Sequence, residues 1–293
     1  MSFKPLLAEK ADLETLRFPV LASPKLDGIR ALTGLPQGSI VSRNLKAIPN
    51  KHIQVAAEQF PAGLDGEILT YTNGIRDDFN NVQSKVMSVE GTPEFKFHVF
   101  DAWDLDATFD ARIKGADSIV CDDQIFGSGL LKLVEHRLIC TLEELLTYET
   151  ECLAAGWEGV MMRDPNGRYK HGRSTVKEGI LLKLKRFHDD EAVIVGTVER
   201  MHNTNEKERD ELGHAKRSSA KAGLVPTGTL GALQCEWKGV RFEIGTGFDD
   251  ATRTSLWGQR EALLGKLVTF KYQEVGSQGA PRFPVYLGLR SDL

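Results

Sequence analysis

The chain has 293 residues, 41% of them hydrophobic and 27% charged, a globular composition with enough length for two domains. No apolar run approaches the length of a membrane span, and Met1-Ser2-Phe3-Lys4-Pro5 does not read as a secretory leader. Four scattered cysteines (Cys121, Cys140, Cys152, Cys235) form no C-x-x-C pair, and the seven histidines show no ligand spacing. Free thiols in a reducing, cytoplasmic compartment are therefore expected, and any metal should rest on carboxylates. The net charge of −4 argues against a generally basic protein, but two acid-free basic segments leave room for a polyanionic partner.

In chain order, Asp12 to Arg17 is a short amphipathic segment. Phe18–Ala22 and Ile29–Leu32 read as strands around a sharp turn, Ser23-Pro24-Lys25-Leu26-Asp27-Gly28. Pro24 removes a backbone donor before Lys25, and Gly28 admits backbone angles that side chains forbid. That turn presents Lys25 at the mouth of the fold beside Asp27 and Arg30, and a lysine so placed can act as a nucleophile once deprotonated. Gly38–Val41 is a strand ending at Ser42-Arg43, and a helix is expected over 50–60 with Asn50 as N-cap. Gly63-Leu64-Asp65-Gly66-Glu67 is a turn and strand start. Phe95–Trp103 alternates as a half-buried strand, with Phe97, Val99 and Asp101 on one face and His98 and Phe100 on the other. Residues 104–140 read as mixed helix and loop, notable only for Arg112. Thr141-Leu142-Glu143-Glu144 is a capping box that opens a helix ended by Gly156.

Glu158 starts a short strand, Glu158–Asp164. Pro165–Lys177 is a loop with Arg168, Lys170, Arg173 and Lys177 and no acid, and Ile180–Phe187 is a strand with Lys183 and Lys185 on one face. Beyond His188 the texture changes to short strands (192–200, 228–236, 240–245 and 267–274), with one helix inserted over 249–264. That pattern predicts an OB-type barrel and a boundary at residue 188.

Lys25-Leu26-Asp27-Gly28-Ile29-Arg30, Leu64-Asp65-Gly66-Glu67, Val99-Phe100-Asp101, Glu158-Gly159-Val160-Met161-Met162-Arg163 and Leu182-Lys183-Leu184-Lys185 occur in this order along the first domain. Together they resemble the motifs of ATP-dependent DNA ligases, within the covalent nucleotidyltransferases, and the short chain is most similar to the small viral and phage type. The resemblance implies an α+β fold: an N-terminal nucleotidyltransferase (adenylation) domain, 1–188, of antiparallel sheets with flanking helices, and a C-terminal OB-fold barrel, 189–293. It implies a ligase that seals 3′-hydroxyl/5′-phosphate nicks in duplex DNA, as in replication, repair or recombination. AMP would pass from ATP to Lys25 and then to the nick before the 3′-hydroxyl displaces it. Ser23, Lys25, Arg30, Glu67, Phe100, Lys183, Lys185 and Arg290 are expected to hold ATP or AMP. Glu158, with Glu67, would take Mg²⁺, for which Mn²⁺ substitutes. Lys183, Lys185 and the metal would disfavour the Lys25 ammonium.

Nick contacts implied by the same resemblance fall on Arg30, Ser42, Arg43, Arg168, Lys170, Arg173 and Ser174. A DNA-binding insertion is expected over 201–228, whose basic, acid-free second half carries Lys216, Arg217 and Lys221. In related small viral ligases an insertion here acts as a DNA-clamping latch, which implies a segment that is mobile in the free protein and ordered on DNA. A monomer acting in the cytoplasm, of the host if phage-encoded, is expected. The alternatives are an RNA ligase, an mRNA-capping guanylyltransferase, and a non-catalytic OB-fold DNA-binding protein. The usual C-terminal lysine of the family is missing after Arg290, which leaves that arginine as the residue expected to orient the leaving group.

Overall fold

The computed structural model describes residues 3–36, 38–209, 215–218, 220–273, 275–276 and 278–290. The chain divides into two compact units between Lys185 and Arg186, three residues before the expected boundary.

Among the described residues, the first unit is built on two main sheets. One has the strand order Arg137–Ile139, Val20–Pro24, Val160–Arg163, Leu181–Leu184, Glu9–Lys10. The other runs Ile40–Ser42, Ile29–Thr33, Leu64–Thr72, Glu94–Ala102, Leu131–Leu133, with Ile75–Arg76 folded onto Leu64–Thr72. The Lys25 turn joins the two sheets, since Val20–Pro24 lies in the first and Ile29–Thr33 in the second. The second sheet buries one face under the helices Lys51–Ala57, Phe79–Met87 and Phe109–Phe126, in a core that includes Ile53, Ile68, Val82, Phe97 and Phe109. The first packs Ala22, Val160, Met162 and Leu182 against the helix Leu142–Ala154 through Leu145, Tyr148 and Cys152.

Local chemistry explains the helix starts. Asn50 accepts from the Ile53 amide at 3.0 Å, and its own amide donates toward Lys85, Ser88, Glu90 and Gly91 carbonyls, so the fully buried cap also fastens the end of the next helix. Thr141 accepts from the Glu144 amide at 3.2 Å, while the Glu144 carboxylate reaches one residue further back than expected, to Cys140 N at 2.7 Å. Asp12–Arg17 is a turn, because the Asp12 carboxylate takes up Glu14 N and the Thr15 hydroxyl. Residues 104–140 hold a long helix, Phe109–Phe126, and two edge strands, Leu131–Leu133 on the second sheet and Arg137–Ile139 on the first. The strand expected over Ile180–Phe187 is shorter, Leu181–Leu184.

The described residues of the second unit form a five-stranded sheet in the order Val240–Ile244, Leu224–Trp237, His188–Asn203, Leu267–Tyr272, Val285–Leu289. It closes on itself where Thr246 bridges Val285 and accepts from the Tyr286 amide at 2.9 Å. Register shifts along His188–Asn203 supply the bends that a small barrel requires. Its core includes Ile194, Leu233, Trp237, Phe270 and Leu263, with the helix Asp250–Gly258 packed on through Leu256. Pairing of the two long strands continues through Met201–Pro226, His202–Val225 and Asn203–Leu224, so the insertion proper is 204–223. It contains the hairpin Lys207–Arg209 with Ala215–Arg217 and a short 3₁₀ turn, Lys221–Gly223.

Candidate active site

A cavity of about 230 Å³ opens in the first unit between the two sheets. Ser23, Lys25, Arg30, Arg43, Glu67, Phe100, Arg173 and Lys183 line it, with Val134 and Met161 among the apolar walls. Eight residues singled out from sequence thus share one pocket. The strand ladders explain why: Met161 pairs with both Ser23 and Lys183, which puts these side chains on one face of the first sheet. On the second sheet Arg30, Glu67 and His98 are cross-strand neighbours. Phe100 is the extra residue of a bulge, since Asp65 pairs with Asp101 and Gly66 with Val99, and the bulge directs the ring into the cavity.

Lys25 is fixed by its main chain as well as by its turn. Its amide donates to Gly159 O at 2.8 Å, and its carbonyl accepts from Glu158 N at 3.1 Å. The Lys25 ammonium pairs with one oxygen of Glu158, and the Lys185 ammonium pairs with the other. In the free protein the group next to Lys25 is therefore a carboxylate, which favours the charged amine. The expected repulsion between neighbouring lysines is felt at Lys183, which is held below the usual lysine range first by burial and then by Lys25 and Arg173. Gly28 is required for a different reason from the one anticipated: its φ is not left-handed, but a Cβ there would lie 2.4 Å from Ile68 O.

Two buried carboxylates organise the cavity wall. Asp65 accepts Arg30 Nε at 2.9 Å, Arg30 Nη2 at 2.6 Å and the Tyr169 hydroxyl at 2.7 Å. Asp101 accepts Arg112 Nε at 2.7 Å and Arg163 Nη1 at 2.6 Å, all three groups being almost wholly buried. The Arg30 and Arg163 guanidinium carbons stand 5.5 and 5.6 Å from the Phe100 ring centre. Arg30 also donates to Leu6 O at 2.7 Å, so it braces the wall and does not present an open fork to DNA. Glu67 receives the Gly28 amide at 3.2 Å, and its carboxyl is pushed up to about 7, mainly by burial and against the pull of Lys25 and Arg30. His98 stays neutral, lowered to about 4 by burial and then by Lys132, Arg76 and Lys96, and adds no positive charge beside Glu67.

The expected nucleic-acid contacts divide. Arg43 and Arg173 are exposed at the cavity, although Arg173 also donates to Ala8 O at 2.6 Å, and Ser42 is half-buried at the end of its strand. Ser174 is fully buried: its hydroxyl donates to Thr175 O and accepts Leu181 N, so it braces the loop and offers nothing to DNA. The loop that looked acid-free has acid partners from elsewhere, Asp106 on Arg168 and Glu178 on Lys170. In the second unit Arg290 pairs with Glu191 at 2.5 Å. Arg217 donates to Asn205 O within the insertion, Lys221 is exposed, and the Lys216 side chain lies outside the described residues. The roles of Asp65, Arg163 and Tyr169 were not foreseen. The first two lie inside the motifs, but Tyr169 left no signal beyond being an aromatic residue in a polar loop.

Among the described residues no three carboxylate, histidine or cysteine groups gather as a ligand set. Mg²⁺ is usually held by one or two carboxylates together with waters and substrate phosphates; Glu67 and Glu158 are carboxylates of that kind, and both Glu158 oxygens are paired with Lys25 and Lys185 in the free protein.

Comparison with known proteins gives the family. The family described as ATP dependent DNA ligase domain matches residues 5–185, and that described as DNA ligase OB-like domain matches 225–290. The crystal structure of Chlorella virus DNA ligase-adenylate is 34% identical and covers 99% of this chain and 100% of its own, with a TM-score of 0.56. A structure from a study of Lig E DNA ligases superposes with a TM-score of 0.74 over 99% of this chain and 100% of its own; at 23% identity it speaks for the fold alone. A DNA ligase of Haemophilus influenzae is 22% identical over 265 residues, 90% of this chain and 84% of its own. With an adenylation domain matched from end to end and an OB-like domain behind it, the chain belongs to the ATP-dependent DNA ligases, is of their minimal type, and seals nicks in DNA.

Proposed function

We propose that Lys25 is the residue that carries AMP, and that the cavity around it is the site of all three transfers of nick sealing. The observation that supports this most directly is the convergence of Lys25, Glu67, Phe100 and Lys183 on one pocket. Phe100 offers a flat apolar face to adenine, and Glu67 offers acceptors to ribose hydroxyls. Lys183 and Lys185 neutralise phosphate charge. The Lys25 amine, once its proton is lost, attacks the α-phosphorus: a P–N bond forms, the bond to the β-phosphate oxygen breaks, and pyrophosphate leaves. Glu158 and Glu67 are the residues that would hold Mg²⁺ or Mn²⁺, which when bound supplies positive charge at the polyphosphate oxygens.

On this reading Arg43 and Arg173 meet phosphates of the nick and Arg290 orients the leaving group. The basic insertion grips the duplex, and one chain suffices for the reaction. The viral or phage-like setting, the cytoplasm and a monomeric state belong to the same proposal. It is tested by mass: incubation with ATP and Mg²⁺ should add one AMP to the protein, and Lys25→Ala should add none while still sealing a nick that already carries 5′-AMP. An AMP adduct on a lysine of Lys25→Ala would overturn the assignment.

A further inference from the structure

Glu158 follows directly on Trp157, and Trp157 is held by a residue remote in sequence. The Arg76 guanidinium carbon sits 3.7 Å from the centre of the Trp157 ring. The same guanidinium donates through Nη2 to Gly156 O at 2.8 Å, with Ala155 O at 3.5 Å. These are carbonyls at the end of the helix Leu142–Ala154, where a cation is electrostatically favoured. Arg76 itself is anchored by its strand, since it pairs with Tyr71 on the second sheet. Trp157 is pinned further, its amide donating to Cys152 O at 2.9 Å and its ring packing on the apolar cluster of Leu26, Leu69 and Val134.

The consequences run straight to the reacting lysine. The peptide that leaves Trp157 makes the two main-chain hydrogen bonds to Lys25, through Glu158 N and Gly159 O, and carries the carboxylate that contacts both Lys25 and Lys185. A rotation at Trp157 would therefore move the Lys25 main chain and the Glu158 side chain together. Arg76, half-buried in the gap between hairpin and helix end, clamps that tryptophan from the opposite sheet. We infer that Arg76 is a positioning residue of the adenylylation step, which acts through the Trp157 stack to hold Glu158 and the Lys25 main chain in register. The stack is a cation–π contact at close range, reinforced by charge-assisted hydrogen bonds, and it ties the two sheets together at the end of the cavity where Lys25 stands.

This inference rests on the reading of Lys25 and Glu158 above, and the experiment separates the two. Single-turnover Lys25 adenylylation is measured for wild type, Arg76→Ala, Arg76→Lys and Glu158→Ala, alongside melting temperature and the KM for ATP. Arg76→Ala should lose roughly tenfold in the saturated rate, with the KM for ATP changed less than about twofold and a cooperative melt retained. Arg76→Lys keeps a cation near the ring but not the planar stack or the paired carbonyl contacts, and should recover part of the loss, to a rate between those of Arg76→Ala and wild type, a partial rescue that a general loss of stability would not produce. A wild-type rate for Arg76→Ala beside a failed Glu158→Ala would overturn the inference and leave the site assignment standing. Unimpaired adenylylation by Glu158→Ala would overturn both. An equal loss in Arg76→Ala and Arg76→Lys, tracking their melting temperatures, would reduce Arg76 to a structural tie and overturn the positioning role.

Discussion

Glu67 shows how much a single side chain can be shaped by the wall it lines. Its carboxyl is pushed up to about 7 because burial penalises the anion more than Lys25, Arg30 and the Gly28 amide favour it. A carboxyl raised above its ordinary value of 4.5 holds its proton more tightly in the folded chain than in the unfolded one. The stability this contributes is present below about pH 4.5 and is lost as pH rises through about 7. Glu67→Gln removes the titration while keeping an acceptor for Gly28 N. In metal-free buffer its melting temperature relative to wild type should therefore climb between about pH 5 and about pH 8, by the equivalent of roughly 1–3 kcal/mol. A difference that does not change with pH would show that Glu67 titrates alike in both states. Asp65 and Asp101 contrast with it: each is surrounded by guanidinium or hydroxyl donors, and removing a partner from such a buried pair typically costs about 3–5 kcal/mol.

At the scale of elements, the turn before Val160–Arg163 is closely constrained. Gly159 has a φ of +148°, and a Cβ on it would lie 2.3 Å from Leu184 O. The carbonyl of Gly159 is also the acceptor for the Lys25 amide. Gly159→Ala should push the Lys183-bearing strand away from the Lys25 strand, at a cost of roughly 2–4 kcal/mol from strain and overpacking combined. The checks are a thermal melt, expected several degrees lower, and the adenylylation rate, expected to fall far more than stability alone would dictate. A melt and a rate both equal to wild type would show that the peptide relaxes without moving Lys25. Much of this layer was legible in advance. Asn50 and Thr141 announced their helices through side chains that cap, and the alternation of Phe95–Trp103 gave its strand. What escaped were features made by distant partners. The two-residue strands Leu6–Leu7 and Glu9–Lys10 exist only because Gly172–Arg173 and Leu181–Leu184 pair with them. The Phe100 bulge is visible only as a slip in register between two strands. The helix Phe109–Phe126 has its buried Phe109, Ile113, Ala116 and Val120 at helical spacing, diluted by Asp110, Asp117, Asp122 and Asp123.

At the scale of the molecule, the site residues came from motifs and the electrostatics came from the fold. Lys25, Glu67, Phe100 and Lys183 could be named from the chain, whereas the acids that occupy Arg168 and Lys170 and the burial of Ser174 could not, because pairing partners lie up to 62 residues away. The insertion of the second unit is where the two kinds of information have to be combined. Its composition is basic and acid-free over 214–223, which suits a phosphate backbone, and its root is built as a clasp. Asn203 Nδ2 donates to Ser218 O at 2.7 Å, Asn205 Nδ2 donates to Ser218 O and Ala220 O at 2.9 and 3.0 Å, and Thr204 N donates to Gly223 O at 2.8 Å. Such a root projects the hairpin from a fixed base at the end of two paired strands. Because Asn203 and Leu224 are cross-strand partners, residues 204–223 can be replaced by a short Gly-Ser turn with the barrel left intact. The shortened protein should adenylylate Lys25 at the wild-type rate, since the cavity lies in the first unit. It should bind a nicked duplex roughly tenfold or more weakly at moderate salt. For every DNA phosphate that the shortened protein no longer neutralises, the dependence of log affinity on log salt should flatten by about 0.9. Binding titrations at several salt concentrations decide the matter: weaker affinity with a shallower slope marks the insertion as a phosphate-gripping arm, and an unchanged affinity and slope would leave it as a surface hairpin with no part in holding DNA.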